Sequence, residues 1–129
     1  MGDYADLPAN DDDLENAYTE QNYTDVDAKD DVRVGQSASG QYAIHQFKDY
    51  VGDETSCSLE WEGQTDQACS WSAVVLQVYN QNTPGWENVD SDNTTAKDTD
   101  FTLSGNIADL TNYKTAQKTI SCRVYQLNV

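Results

Sequence analysis

Ser56-Cys57-Ser58-Leu59-Glu60-Trp61-Glu62-Gly63 alternates strictly, with Cys57, Leu59 and Trp61 on one side and Ser58, Glu60 and Glu62 on the other. A period of two over eight residues is the mark of a strand with one face in a core and one in water. Downstream, Ala73 to Asn80 sets Val74, Leu76 and Val78 against Val75, Gln77 and Tyr79. It is the most β-branched run in the chain and is predicted to be a central strand. Gln81-Asn82-Thr83-Pro84-Gly85 then supplies turn chemistry for a hairpin, with Trp86 to Asp90 returning.

Working outward, Val32 to Gln36, Gln41 to Val51, Phe101 to Ile107 and Thr119 to Val129 complete seven predicted strands. Ser37 to Gly40 and Gly52 to Glu54 are turn clusters. One helical turn is expected near Leu110 to Tyr113, and a bulge between Val124 and Tyr125. Short strands with turn signals at 8–12-residue spacing predict an all-β fold, a single β-sandwich of jelly-roll or immunoglobulin-like type. That domain occupies residues 32–129.

Residues 1–31 have a different character. They hold eleven acids and one base, Lys29, so −10 of the chain's −16 formal charge. Large aliphatics are few there, and such a segment cannot offset its own ordering entropy. It reads as an extended acidic N-terminal arm that orders on docking. Tyr4, Leu7, Leu14, Tyr18 and Tyr23 are its candidate partner-binding anchors. A short helix is expected at Asp13 to Gln21, capped by Asp12 with Glu15 at capping-box spacing.

The charge is the wrong sign for nucleic acid or an anionic membrane, and a basic protein surface suits it better. Solubility, or adaptation to salt, explains the same acidity without any partner. No apolar run approaches the roughly 20 residues that span a bilayer. The first residues lack a signal peptide's basic and apolar regions. Asp6 breaks the myristoylation pattern that Gly2 begins.

Chemistry-bearing motifs are sparse. The single histidine, His45, sits beside Phe47 on a predicted strand and reads as structural. Cys57, Cys69 and Cys122 lie twelve and fifty-three residues apart, which does not suit zinc. Cys57 and Cys122 fall on apolar strand sides, where free thiols pack as small hydrophobes, with a bridge between them the alternative. Cys69, in a polar loop, is expected to be exposed. Glu60 and Glu62 make a carboxylate pair that a glycosidase would need across a cleft, and a solvated strand face explains them more simply.

Asp90, Asp92, Asp98 and Asp100 offer oxygen ligands for Ca²⁺ in an irregular loop. An EF-hand is excluded there, because Thr95 stands where glycine is needed and Phe101 where the bidentate glutamate belongs. Trp71, Tyr79 and Trp86 suggest a glycan-stacking face, with core or interface packing as the plainer explanation.

The run Val75 to Asn80, then Trp86-Glu87, Asp90-Ser91-Asp92, Thr99 to Leu103 and Cys122-Arg123-Val124-Tyr125 resembles the small β-sandwich domains of tailed-phage virion surface proteins. The likeness spans roughly Tyr42 to Gln126 and is to capsid decoration or head-fibre proteins. It implies a non-enzymatic virion structural protein at the particle surface, made without a signal peptide. Its partners would be the major capsid protein and copies of itself, reached through the arm. The alternative class is an extracellular carbohydrate-binding module or adhesin-type sandwich. A hydrolase using Glu60 and Glu62 is a distant third.

Overall fold

A computed structural model describes residues 1–26, 33–36 and 39–128. Among them are seven strands and one short helix: β1 (Gly2–Tyr4), α1 (Glu20–Val26), β2 (Tyr42–Tyr50), β3 (Cys57–Gly63), β4 (Val74–Asn80), β5 (Gly85–Asp92), β6 (Phe101–Ile107) and β7 (Thr119–Leu127). They form two antiparallel sheets, one of order β1-β2-β7-β4-β5 and one of β3-β6. The all-β, two-layer expectation therefore holds.

The core lies between the layers. Val74, Leu76 and Val124 of the larger sheet pack on Leu103, with Leu59, Trp61 and Phe101 of the smaller one closing around them. A second cluster joins Val78, Ile120 and Cys122 to Ile107 and Leu110. The predicted alternation of β3 and the central place of β4 follow from this packing. All seven residues of β4 are buried, on both sides.

Four expectations are corrected. Arg33 to Gln36 form no strand (Val32 lies outside the described residues), and the seventh strand comes instead from Gly2–Tyr4. It pairs with β2 through Gly2↔Ile44 and Tyr4↔Tyr42. The helix begins at Glu20, not Asp13. Its cap is Thr19, whose hydroxyl accepts the Asn22 N–H while the Asn22 side chain accepts the Thr19 N–H. The expected capping residues lie elsewhere: Glu15 accepts the Asp3 N–H, and the Asp12 carbonyl accepts from Gln46 Nε2.

Thirdly, β7 pairs with β2 in unbroken register from Thr119 to Leu127, and the irregularity falls in the β4–β5 pairing, where Leu76 faces Asp90 and Gln77 faces Asn88. Tyr125 shares the outward side with Arg123 as ordinary alternation requires. Fourthly, Cys69 is buried, 1 % exposed, inside the first core cluster. Its loop is drawn inward by the Cys69 N–H donating to Thr95 O. The expected turn after β6 is present, closed by Tyr113 N–H to Leu110 O.

All three cysteines are free thiols. Burial pushes the Cys122 thiol up to about 12, so it is inert as a nucleophile. Thiol reagents should therefore label Cys69 and Cys122 slowly in the native protein, and all three cysteines rapidly only after denaturation. Fast native labelling at Cys69 or Cys122 would contradict the packing.

Candidate partner interface

The outward face of the larger sheet carries side chains that are neither apolar nor free in water. From β4 come Gln77 and Tyr79, from β7 Ser121, Arg123 and Tyr125, from β2 Gln46, and from β5 Trp86. Strand alternation puts them all on the side opposite the core. Arg123 is only 3 % exposed. A buried guanidinium needs partners for its planar donor fork. Its Nε donates to Gln77 Oε1 at 2.7 Å, and its charge lies 4.2 Å over the Trp86 ring. Burial pulls its pKa down to about 10, so it stays charged at neutral pH.

What covers this face is the acidic segment itself. After β1 the chain crosses the sheet and presents its backbone carbonyls downward. Arg123 donates to Pro8 O at 2.8 Å, and Trp86 Nε1 to Asn10 O at 3.1 Å. Gln46 Nε2 donates to Asp11 O and Asp12 O at 3.1 and 3.0 Å. Two side chains of the segment are also gripped: the Asp11 carboxylate accepts from Ser121 Oγ at 2.7 Å and Gln81 Nε2 at 2.9 Å, and Asp13 pairs with Lys48 of β2 at 3.0 Å. The sheet thus holds the segment mainly by its main chain. Asp6, Asp12 and Asp13 are left exposed on the outer surface. Gln46 is 8 % exposed, and its Oε1 is the one buried side-chain polar atom without a hydrogen-bond partner among the described residues.

The predicted anchors divide. Tyr4, Leu7, Leu14 and Tyr18 are half-buried, whereas Tyr23 is 61 % exposed. Tyr4 ends β1, its hydroxyl accepting the Glu15 N–H at 2.8 Å. Tyr18 rounds the sheet edge to the inter-sheet side, where it stacks on Phe47 with centroids 5.5 Å apart and bonds His45 Nδ1. A cavity of about 830 Å³ opens there between β2 and β3, with Trp61 in its wall and Glu60 and Glu62 beside it.

His45 is where pH should be felt. Burial pushes its pKa down to about 4, from near 6.5 unfolded. The folded state therefore holds a neutral ring while the unfolded chain binds a proton between those values. Its contribution is complete above about pH 6.5 and is lost as pH falls toward 4, about 3 kcal/mol in all. Urea midpoints of a His45→Gln variant should fall less steeply than wild type across that window. Parallel curves would refute the assignment.

The other candidates do not converge. Asp90 and Asp92 belong to β5 rather than to a loop. Asp90 accepts the Ser104 N–H, Asp92 accepts the Thr94 and Thr95 N–H groups, and Asp100 pairs with Arg33 at 2.7 Å. Asp98 is in a left-handed turn at φ 57°. Among the described residues no three acids, histidines or cysteines gather as a metal site. Asp90 and Asp92 turn their carboxylates to backbone N–H groups instead, and Asp100 turns to Arg33.

Trp71, Tyr79 and Trp86 do not form one platform. Tyr79 is 6 % exposed and meets Trp86 edge-on at 5.1 Å, while Arg123 occupies the Trp86 face. Only Trp71 is open, at 77 %. A Trp71→Ala change should leave the urea midpoint within about 0.5 kcal/mol of wild type, as for other surface sites without partners. A larger loss would mean Trp71 packs on something. Sequence reasoning missed Arg123, Gln46 and Ser121. The available signal was that β4 is uncharged on both faces, so both faces must be covered.

No family model, no curated protein and no solved structure matches this chain.

Proposed function

We propose that this chain is a non-enzymatic attachment protein, a capsid decoration protein of a virion, built on a sandwich of jelly-roll or immunoglobulin-like kind. The observation that carries the reading is the way the acidic segment is held. The sheet grips its carbonyls and leaves Asp6 and Asp12 turned outward, with Asp13 exposed but paired to Lys48. An acidic ridge on a rigid sheet is a docking face for a basic protein surface, such as that of the major capsid protein. The virion setting comes from the sequence resemblance. Neighbouring copies are the second partner.

The reading is tested by co-sedimentation of the full chain with large particles from the cells that make it, across a salt series. Wild type should pellet with particles and be released as salt screens the ridge. Asp6→Asn and Asp12→Asn together should weaken attachment about fivefold, at roughly 0.5 kcal/mol per exposed pair. A chain that never pellets, or a double variant that pellets like wild type, would overturn the reading.

A further inference from the structure

We propose that the groove floored by Gln46, Gln81, Trp86, Ser121 and Arg123 is a receptor for an extended acidic segment, and that its second occupant is the same segment of another copy of this chain. The groove's contacts are to main-chain carbonyls and to the Asp11 carboxylate, and beside it Lys48 pairs with Asp13. None depends on which copy supplies the segment. Each contact made within one chain is therefore made equally well between two.

Two further observations favour exchange. The segment's strand, β1, is only three residues long and lies at a sheet edge, so its own hydrogen bonds hold it weakly. Residues 27–41, which join α1 to β2, number fifteen, roughly 50 Å when extended, enough to reach a neighbour. Each copy offers one segment and one groove. Reciprocal exchange closes a two-fold dimer, and one-way exchange runs from copy to copy across a surface.

The competition is set by concentration. A segment tethered to its own groove meets it at an effective concentration on the order of millimolar. Dilute chains therefore keep their own segment, and crowded ones exchange. That crowding occurs on a particle rests on the function proposed above; the groove itself does not.

The Lys48–Asp13 ion pair reports directly on occupancy, because its 3.0 Å contact is exposed to a zero-length carbodiimide. Full-length unlabelled and ¹⁵N-labelled chains are mixed in equal amounts, equilibrated at dilute and at about millimolar concentration, and cross-linked. The Lys48–Asp13 peptides are then read by mass. Same-isotope links should dominate in dilute solution. Near millimolar, about a quarter of the links should be mixed, the value when half of the grooves are exchanged and pairing is random. Only same-isotope links at both concentrations would overturn exchange, whatever the particle assay gives. Mixed links from a chain that never pellets with particles would leave exchange standing and remove the decoration reading alone.

Discussion

Arg123→Ala should destabilise the protein by about 4 kcal/mol. The change removes two charge-assisted hydrogen bonds and a desolvated contact with the Trp86 ring. It also leaves Pro8 O and Gln77 Oε1 buried with one donor fewer, and that desolvation is not recovered. Against a total stability of about 5–15 kcal/mol the loss is large. Urea unfolding checks it directly. Arg123→Lys keeps the charge but not the planar fork, and should cost about half as much. If both variants unfold at the wild-type midpoint, the acidic segment is not docked as described. Limited proteolysis of Arg123→Ala should cut first within residues 5–13, because these lose their central tie to the sheet.

The second large effect is expected at Leu110. It belongs to no strand, yet it is fully buried under the second core cluster, against Val78, Ile107, Ile120 and Cys122. Its backbone is fixed too, with Leu110 N–H donating to Thr55 O and Leu110 O accepting from Tyr113. Leu110→Ala should cost about 3–4 kcal/mol, the transfer loss plus a cavity that this tied-down turn cannot collapse into. The denaturation midpoint should fall with an unchanged slope. A loss below about 1 kcal/mol would mean that the turn rearranges to fill the space.

Much of the layer structure was legible because it is local. Cys57 to Gly63 and Val74 to Asn80 announce their strands by alternation and β-branching, and those strands form where expected. The N-terminal strand was not legible for the opposite reason. Gly2-Asp3-Tyr4 has no alternation and no apolar run. It becomes a strand only because Ile44 and Tyr42 stand opposite it, which is a non-local fact. Gly2 also has a steric reason: a Cβ there would meet the Tyr4 ring at 2.7 Å and Glu15 at 2.8 Å.

The candidate interface was half legible. The acidic segment and its tyrosines were recognisable from composition, but their docking partner was not. Arg123 reads from sequence as an ordinary solvent-facing charge on an alternating strand. It is buried only because residues 8–12 return across more than a hundred positions of sequence. Cys69 shows the same limit. A polar loop predicts exposure for it, and one backbone bond to Thr95 decides otherwise.

The short strand at the start of the chain also acts as a shield. While Gly2–Tyr4 is seated, the outer amides and carbonyls of Tyr42 to Ile44 are occupied. Unseat it without a replacement and that margin becomes a template on which further extended chain can add, the route by which edge-exposed sheets grow into fibres. The molecule best suited to hand its first residues to a neighbour is, for the same reason, at risk of insoluble growth whenever no neighbour's strand arrives.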